Sequence, residues 1–233
     1  MAHKPVREAH PVVFVHTHWL NLLSIFFLTL SGFYIHYPFF AGGMPFMRGT
    51  HFFWMFVLII NLAVRIIASF FVHSATQLNS RDVSEKDIKN WLPQKENRHQ
   101  LWPVVKYYLF MKKEYPISAK YAPLQKIAYL ATVVLTLAAA YTGFCLWDPT
   151  KDMAFFLAGR DLISQWFDPQ LIAGAGYATG GAAIMPVRVV HYFIMWAFIA
   201  FTMVHAYLAN IYGFAPSKMI FAWIEEPDAL ESH

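Results

Sequence analysis

Charged residues are scarce in this chain, and cysteine is almost absent. Aspartate, glutamate, lysine and arginine make up 14% of the 233 residues, against roughly 25% in soluble globular domains. The single cysteine, Cys145, excludes an intrachain disulfide and any metal site built from several thiolates. A net charge of +4, spread along the chain, does not indicate nucleic-acid binding. Any bound metal must therefore be held by histidine or carboxylate, and the chain has 11 histidines.

Apolar residues, in contrast, account for 58% of the sequence and form long runs. A transmembrane helix needs about 20 apolar residues to cross a hydrocarbon core of roughly 30 Å. Four runs meet this requirement, at residues 12–35, 51–72, 124–147 and 187–212. The sequence therefore predicts one all-α integral membrane domain built as a four-helix bundle. The first run is too long for a signal peptide and no small-x-small cleavage site follows it, so we expect residues 1–11 to be retained as a polar tail.

The connections between these runs predict the orientation of the chain. Residues 36–50 contain two prolines and three glycines and are expected to form a short turn-rich link. The connection 73–123 is basic, because residues 74–123 hold nine lysines and arginines against five acidic residues. Positively charged loops stay on the cytoplasmic side. We therefore expect the loop 73–123 and both termini to be cytoplasmic and the loop 148–186 to be periplasmic, in an inner membrane of the bacterial type.

Two connecting segments carry further patterns. LWPVVKYYLFMKKEYP, at residues 101–116, mixes aromatic residues with lysines and is expected to lie at the membrane interface. An amphipathic helix is predicted around residues 153–167, followed by the glycine-rich stretch GAGYATGG. The tail after Tyr212 is too short and too acidic to cross the membrane again.

Four histidines lie within the spans at two matched depths. His191 and His205 are 14 residues apart, which is about 21 Å along a helix axis and about 40° around it. They therefore lie on one face near opposite ends of the last span. With the predicted orientation, His51 is level with His191 at the outer side, and His18 is level with His205 at the inner side. Imidazole within hydrocarbon is rare and indicates a functional site.

Two stacked histidine pairs are the ligands that two b-type haems require, since each low-spin haem iron takes one axial imidazole from each side. Zinc fits less well, because it needs four compact ligands. We predict an outer haem held by His51 and His191 and an inner haem held by His18 and His205. An interhelical hydrogen bond is the alternative for any one of these histidines. Three further histidines near the span ends are reserve ligands: His16, His36 and His73.

Helical spacing selects three more candidate cofactor residues. Gly32 is 14 residues after His18, on the same face at the outer level, where a missing side chain leaves room for a haem plane. Gly143 is assigned the same role, with small-residue helix packing as the alternative for both glycines. Arg65 is 14 residues after His51 and is expected to pair with a haem propionate or to lie near a quinone.

With these motifs in place, the chain resembles the b-type cytochrome subunit of membrane-bound nickel–iron hydrogenases, a group similar to the cytochrome subunits of formate dehydrogenases. The likeness covers most of the chain. The residues that carry it are His18-Trp19, SGFYIH at 31–36, His51-Phe52, Arg65, KYYLFMKKEYP at 106–116, APLQKIAY at 122–129, TGFCLW at 142–147 and the pair His191 and His205. The sequence departs from the family most in GAGYATGGAAIMP, before the last span.

The resemblance implies a quinone-reducing electron-transfer subunit of a hydrogen:quinone oxidoreductase. A nickel–iron large subunit and an iron–sulfur small subunit would lie on the outer face and oxidise dihydrogen. Electrons would pass through the outer and inner haem b to menaquinone or ubiquinone in the bilayer, within a complex that the resemblance allows to form higher oligomers. The chain itself would have no catalytic residue for hydrogen chemistry, because it lacks the thiolates that hold nickel.

Three alternatives remain at this stage. The first is the cytochrome b subunit of a formate dehydrogenase or of another quinone-linked reductase. A histidine-bearing transporter or proton channel without haem is a second alternative, and a passive membrane anchor is a third. Haem absorbance separates the cytochromes from the other two classes, and the metal of the co-purifying partner separates the two kinds of cytochrome.

Overall fold

The computed structural model describes residues 11–76, 84–92, 99–114, 116, 121–166 and 184–211. Seven helices and two short strands are present in these residues. In chain order they are α1 (Val12–His36), α2 (Met44–Phe71), β1 (His73–Ala75), β2 (Ser84–Lys86), α3 (Ile88–Trp91), α4 (Leu101–Tyr108), α5 (Pro123–Leu146), α6 (Ala154–Ser164) and α7 (Met185–Asn210).

Four of these helices, α1, α2, α5 and α7, are long and apolar enough to cross a membrane. They confirm the four predicted spans, with one substantial change of boundary. Helix α2 begins at Met44, seven residues before the predicted start of the span. Pro45 lies in its first turn, where no backbone N–H is needed for the helical ladder, so this proline does not end the helix.

The spans have apolar outer surfaces and small polar side chains inside. Ser24, Ser31 and Ser69 are fully buried, whereas Phe26 and Phe53 are more than half exposed. A hydroxyl buried in a membrane helix can hydrogen-bond the carbonyl one turn earlier, so it needs no water. Small side chains also let helices approach closely. This distribution is the one expected of a helix bundle surrounded by lipid.

The described residues group into two compact units. The first unit consists of the described residues within Met1–Leu23, Ile60–Thr132 and Thr202–His233. The second consists of those within Ser24–Ile59 and Val133–Phe201. We call them the His18 unit and the His51 unit. Each of these units contains one of the two predicted histidine pairs.

In the His18 unit, a β-hairpin follows α2 and corrects the strictly all-α prediction. Strands β1 and β2 are antiparallel, with His73 opposite Lys86 and Ala75 opposite Ser84. Each strand has three residues, which is too short to show the alternation by which a strand is recognised in a sequence. The interfacial segment is helical at α4, where Val104 and Tyr107 are buried.

In the His51 unit, helix α6 confirms the predicted amphipathic helix. It buries Ile163 against Cys145 and Val187, which together form an apolar cluster. Cys145 is a buried free thiol, as expected of a small apolar residue in a helix. The glycine-rich stretch GAGYATGG, the N-terminal tail to residue 10 and the tail from residue 212 lie outside the described residues.

Candidate functional site

His51 on α2 and His191 on α7 face each other in the His51 unit. Their ring centroids are 6.2 Å apart, with 65° between the ring planes. Both residues are partly buried. The two helices thus bring these imidazoles close to each other.

This separation fits a metal ion coordinated by both rings. With a metal–imidazole bond of about 2.0 Å and a ring radius of roughly 1.1 Å, two opposed ligands would place their centroids about 6.2 Å apart. The observed 6.2 Å agrees with this value. His51 and His191 therefore fit a haem iron that both imidazoles would hold, and an imidazole–imidazole hydrogen bond would draw the rings closer.

Each of these imidazoles has a hydroxyl at its Nδ1 atom. Ser31 Oγ lies 2.9 Å from His51 Nδ1, and Thr142 Oγ1 lies 2.7 Å from His191 Nδ1. Because Nδ1 is engaged in both rings, Nε2 is the nitrogen left for a ligand.

Gly32 and Gly143 lie beside the same two rings. A Cβ atom on Gly32 would be 3.6 Å from His51 Cε1, and one on Gly143 would be 3.5 Å from His191 Cε1. These are ordinary van der Waals distances, so an alanine would fit but a longer side chain would enter the space beside an imidazole. Both glycines therefore lie beside the pair His51 and His191, which is the pair at whose level the sequence predicted Gly32.

Two methionines complete the surroundings of this pair. Met195 Sδ lies 3.6 Å from the Cβ position of Gly32, and Met55 Sδ lies 3.7 Å from that of Gly143. Met55 is buried. Thioether side chains adapt to irregular apolar surfaces, which suits a position next to a flat cofactor.

In the His18 unit, His18 on α1 faces His205 on α7. Their ring centroids are 6.3 Å apart, with 48° between the planes, so the same coordination distance applies. The immediate environment differs from that of the first pair. His18 Nδ1 is buried and has no hydrogen-bond partner among the described residues, whereas both rings of the pair in the His51 unit have a hydroxyl at Nδ1.

Arg65 has a partner inside the chain. Its Nη2 donates to Asp87 Oδ2 at 2.9 Å, and Asp87 is fully buried. The guanidinium lies between the ring of Phe14, 3.8 Å away, and that of Trp91, 4.8 Å away. Its Nη1 atom is buried and has no hydrogen-bond partner among the described residues. Arg65 is therefore part of a buried ion pair as well as a candidate for cofactor contact.

The Asp87 carboxylate is also the centre of a polar network of neighbouring side chains. It accepts hydrogen bonds from Ser74 Oγ at 2.6 Å and from Trp91 Nε1 at 3.0 Å. Asn90 Nδ2 donates to the same serine hydroxyl at 3.0 Å. Burial, followed by the proximity of Tyr129 and Asp87, raises the pKa of nearby Tyr121 well above its ordinary value, so its phenol stays neutral. This network attaches the β-hairpin and α3 to the end of α2.

The reserve histidines have other surroundings. His36 stacks on Tyr192, with ring centroids 4.3 Å apart and 22° between planes. His73 is exposed in β1, and His16 is exposed on α1. No cluster of three or more histidine, cysteine or acidic side chains able to hold a metal ion occurs in the part of the chain that is described. The histidine pairs of the two units are thus the best candidates for a cofactor.

Helical spacing indicates no role for Ser31, Thr142, Met55 or Met195, although a repeated motif marks all four. Ser31-Gly32-Phe33 on α1 matches Thr142-Gly143-Phe144 on α5. Eight residues from Arg48 to Met55 on α2 match eight from Arg188 to Met195 on α7, as R-x-x-H-[FY]-F-x-M. Two pairs of helices, α1 with α2 and α5 with α7, therefore contribute equivalent residues to one histidine pair.

A family model described as prokaryotic cytochrome b561 matches residues 9–222, nearly the whole chain. The short name of that family refers to the cytochrome b of nickel hydrogenases. A comparison with curated proteins finds no match.

Proposed function

The chain belongs to the prokaryotic cytochrome b561 family, and on this premise we propose that it is a di-haem electron-transfer subunit. Members of this family are membrane cytochromes that bind b-type haem and carry electrons. We propose that His51 and His191 hold one haem b and that His18 and His205 hold a second. The observation that carries this proposal is the near-identical separation of the two pairs, 6.2 Å and 6.3 Å between ring centroids.

Haem supplies a one-electron carrier that the side chains of the protein cannot provide. The work of the chain is to hold and surround it. Helix α7 carries one histidine of each pair. Gly32 and Gly143 leave room beside the rings of the His51 unit, and Met55 and Met195 line that space. In the His18 unit, the buried Nη1 of Arg65 is the atom available to a propionate or a quinone oxygen.

The proposed electron donor is a nickel–iron hydrogenase at the periplasmic face, and the proposed acceptor is a quinone near His205. The family name supports this donor. Oxidation of dihydrogen by the partner releases two electrons and two protons, and reduction of one quinone to quinol consumes two of each. The chain would conduct only the electrons, so proton release and uptake can occur on opposite sides of the inner membrane.

A pyridine-haemochrome assay on the purified chain tests the haem assignment. Two haems b per polypeptide are expected. A count of one or none contradicts the di-haem scheme, and the absence of any haem would instead favour the transporter or the passive anchor.

The donor is tested separately by the metal content of the complex that co-purifies with the chain from native membranes. Nickel with an iron–sulfur protein is the expected result. Molybdenum or tungsten would identify a formate dehydrogenase or a similar reductase and would refute the hydrogenase assignment, while leaving the haem assignment intact.

A further inference from the structure

We propose that Ser31 and Thr142 are positioning residues that leave Nε2 of His51 and His191 free to bind iron. The inference rests on the proposed function, because it concerns the ligands of the haem in the His51 unit. It assigns a role to two hydroxyls that touch the ligands and not the iron.

The direction of each hydrogen bond follows from the other neighbour of the hydroxyl. Ser31 Oγ lies 2.6 Å from the carbonyl oxygen of Phe27, and Thr142 Oγ1 lies 2.7 Å from that of Ala138. A carbonyl oxygen only accepts, and a hydroxyl has one hydrogen to donate. Since that hydrogen goes to the carbonyl, the hydroxyl oxygen accepts a hydrogen from the imidazole Nδ1.

This direction sets the tautomer of both rings. With the hydrogen on Nδ1, the lone pair of Nε2 is free to coordinate a metal. The reverse arrangement would put the hydrogen on Nε2 and block coordination. A hydrogen bond donated by Nδ1–H also makes an imidazole ligand more basic. A more basic ligand stabilises ferric over ferrous iron and so lowers the reduction potential.

The repetition argues against an incidental contact. A serine or threonine in a membrane helix often donates to the carbonyl one turn earlier, so one such hydroxyl would need no functional explanation. Here the series of carbonyl, hydroxyl and imidazole occurs twice, once between α1 and α2 and once between α5 and α7. Both copies lie in the repeated sequence motif.

The pair in the His18 unit lacks half of this arrangement, because His18 Nδ1 has no hydrogen-bond partner among the described residues. His18 is therefore the less basic ligand. We expect the hydroxyls to lower the potential of the haem at His51 relative to that of the haem at His18. Electrons then move downhill from the first haem to the second, which is the direction that a periplasmic donor and a quinone near His205 require.

A redox titration of the full-length chain in membranes, followed by haem absorbance, tests this inference. The component that belongs to the His51 unit is identified as the one that His191→Ala removes. In Ser31→Ala and Thr142→Val, we expect both haems to remain and the potential of this component to rise. A tenfold loss of ferric over ferrous ligation, the low end of the range for such outer partners, corresponds to about 59 mV.

Two further variants separate hydrogen bonding from packing. Ser31→Thr and Thr142→Ser keep a hydroxyl and should keep the wild-type potential. Ser24→Ala is the matched control, because it removes a buried hydroxyl from α1 that has no hydrogen-bond partner among the described residues, and it should shift nothing.

Unchanged potentials in Ser31→Ala and Thr142→Val overturn the inference. So does loss of the haem in both Thr142→Val and Thr142→Ser, which would show that shape matters and the hydroxyl does not. Loss of the haem in Thr142→Val but not in Thr142→Ser supports the inference, because only the serine variant keeps the hydroxyl. A wild-type chain with fewer than two haems refutes the proposed function itself, and this is established before any variant is compared.

Discussion

At the scale of single residues, the two histidine pairs are the feature on which the proposed function depends. Sequence spacing selected all four histidines, because rise and rotation per residue define depth and face within one helix. It could not show that rings on different helices meet at a coordination distance. The hydroxyl partners were missed for a related reason, since serine and threonine are frequent in membrane helices and only their position next to a ring distinguishes them.

Replacing His191 by alanine should remove one haem of two. Electron transfer to quinone should stop, while the partner enzyme still reduces a soluble dye, because hydrogen oxidation does not use this chain. Haem content and the two activities measure the effect. His36→Ala is the control, since His36 stacks on Tyr192 and faces no second histidine ring among the described residues. Retention of both haems in His191→Ala would refute the ligand assignment.

Enlarging Gly143 should expel the same haem. An alanine side chain meets His191 Cε1 at an ordinary 3.5 Å and should be tolerated, whereas Gly143→Leu extends a branched side chain into the space beside the ring. Gly49→Leu is the control, because nothing lies within 4 Å of a Cβ at that position. The haem count should fall to one in Gly143→Leu and stay at two in the control. Two haems in both would indicate that Gly143 serves helix packing.

At the scale of secondary-structure elements, the end of α2 and the hairpin after it depend on one buried ion pair. Arg65 was selected by its 14-residue distance from His51, which describes α2 alone. Its partner Asp87 is 22 residues away and follows β2, a strand that no sequence pattern predicted. The path of the loop decides which side chain a buried arginine meets. Helical periodicity carries no information about that path.

Removing the Asp87 carboxylate should weaken this region strongly. In Asp87→Ala, Arg65 keeps a buried charge without its partner, and such changes cost about 3–5 kcal/mol. We expect a lower midpoint of thermal unfolding and faster proteolysis between α2 and α5. Glu85→Ala is the control, because its pair with Lys89 is partly exposed and exposed pairs contribute at most about 1 kcal/mol.

The double variant Arg65→Met, Asp87→Leu separates stability from function. Apolar replacement of both partners of a buried pair is often neutral, so stability should recover. If Arg65 also serves the haem or quinone, electron transfer to quinone stays impaired in this stable protein. Full recovery of electron transfer would limit Arg65 to its structural role.

At the scale of the whole molecule, charge distribution predicts the orientation in the membrane. Cysteine labelling with a membrane-impermeant maleimide tests it. In intact cells with a permeable outer membrane, Asp152→Cys should react, and Lys89→Cys should react only after lysis. Both side chains are well exposed, and the native Cys145 is buried. Labelling of Lys89→Cys in intact cells would show that the predicted topology, and with it the predicted order of the haems, is inverted.

The sequence by itself determined the membrane class and the number of spans, and it selected the residues that are proposed to hold a cofactor. These properties depend on composition and on distance along a helix, which are one-dimensional quantities. Only the tertiary structure decided that the paired imidazoles come within 6.2 Å and 6.3 Å of each other, that Nδ1 of His51 and His191 is taken by a hydroxyl, and that Arg65 meets Asp87. Those contacts depend on how each helix is rotated against its neighbour and on where a loop returns, and packing of the whole chain sets both.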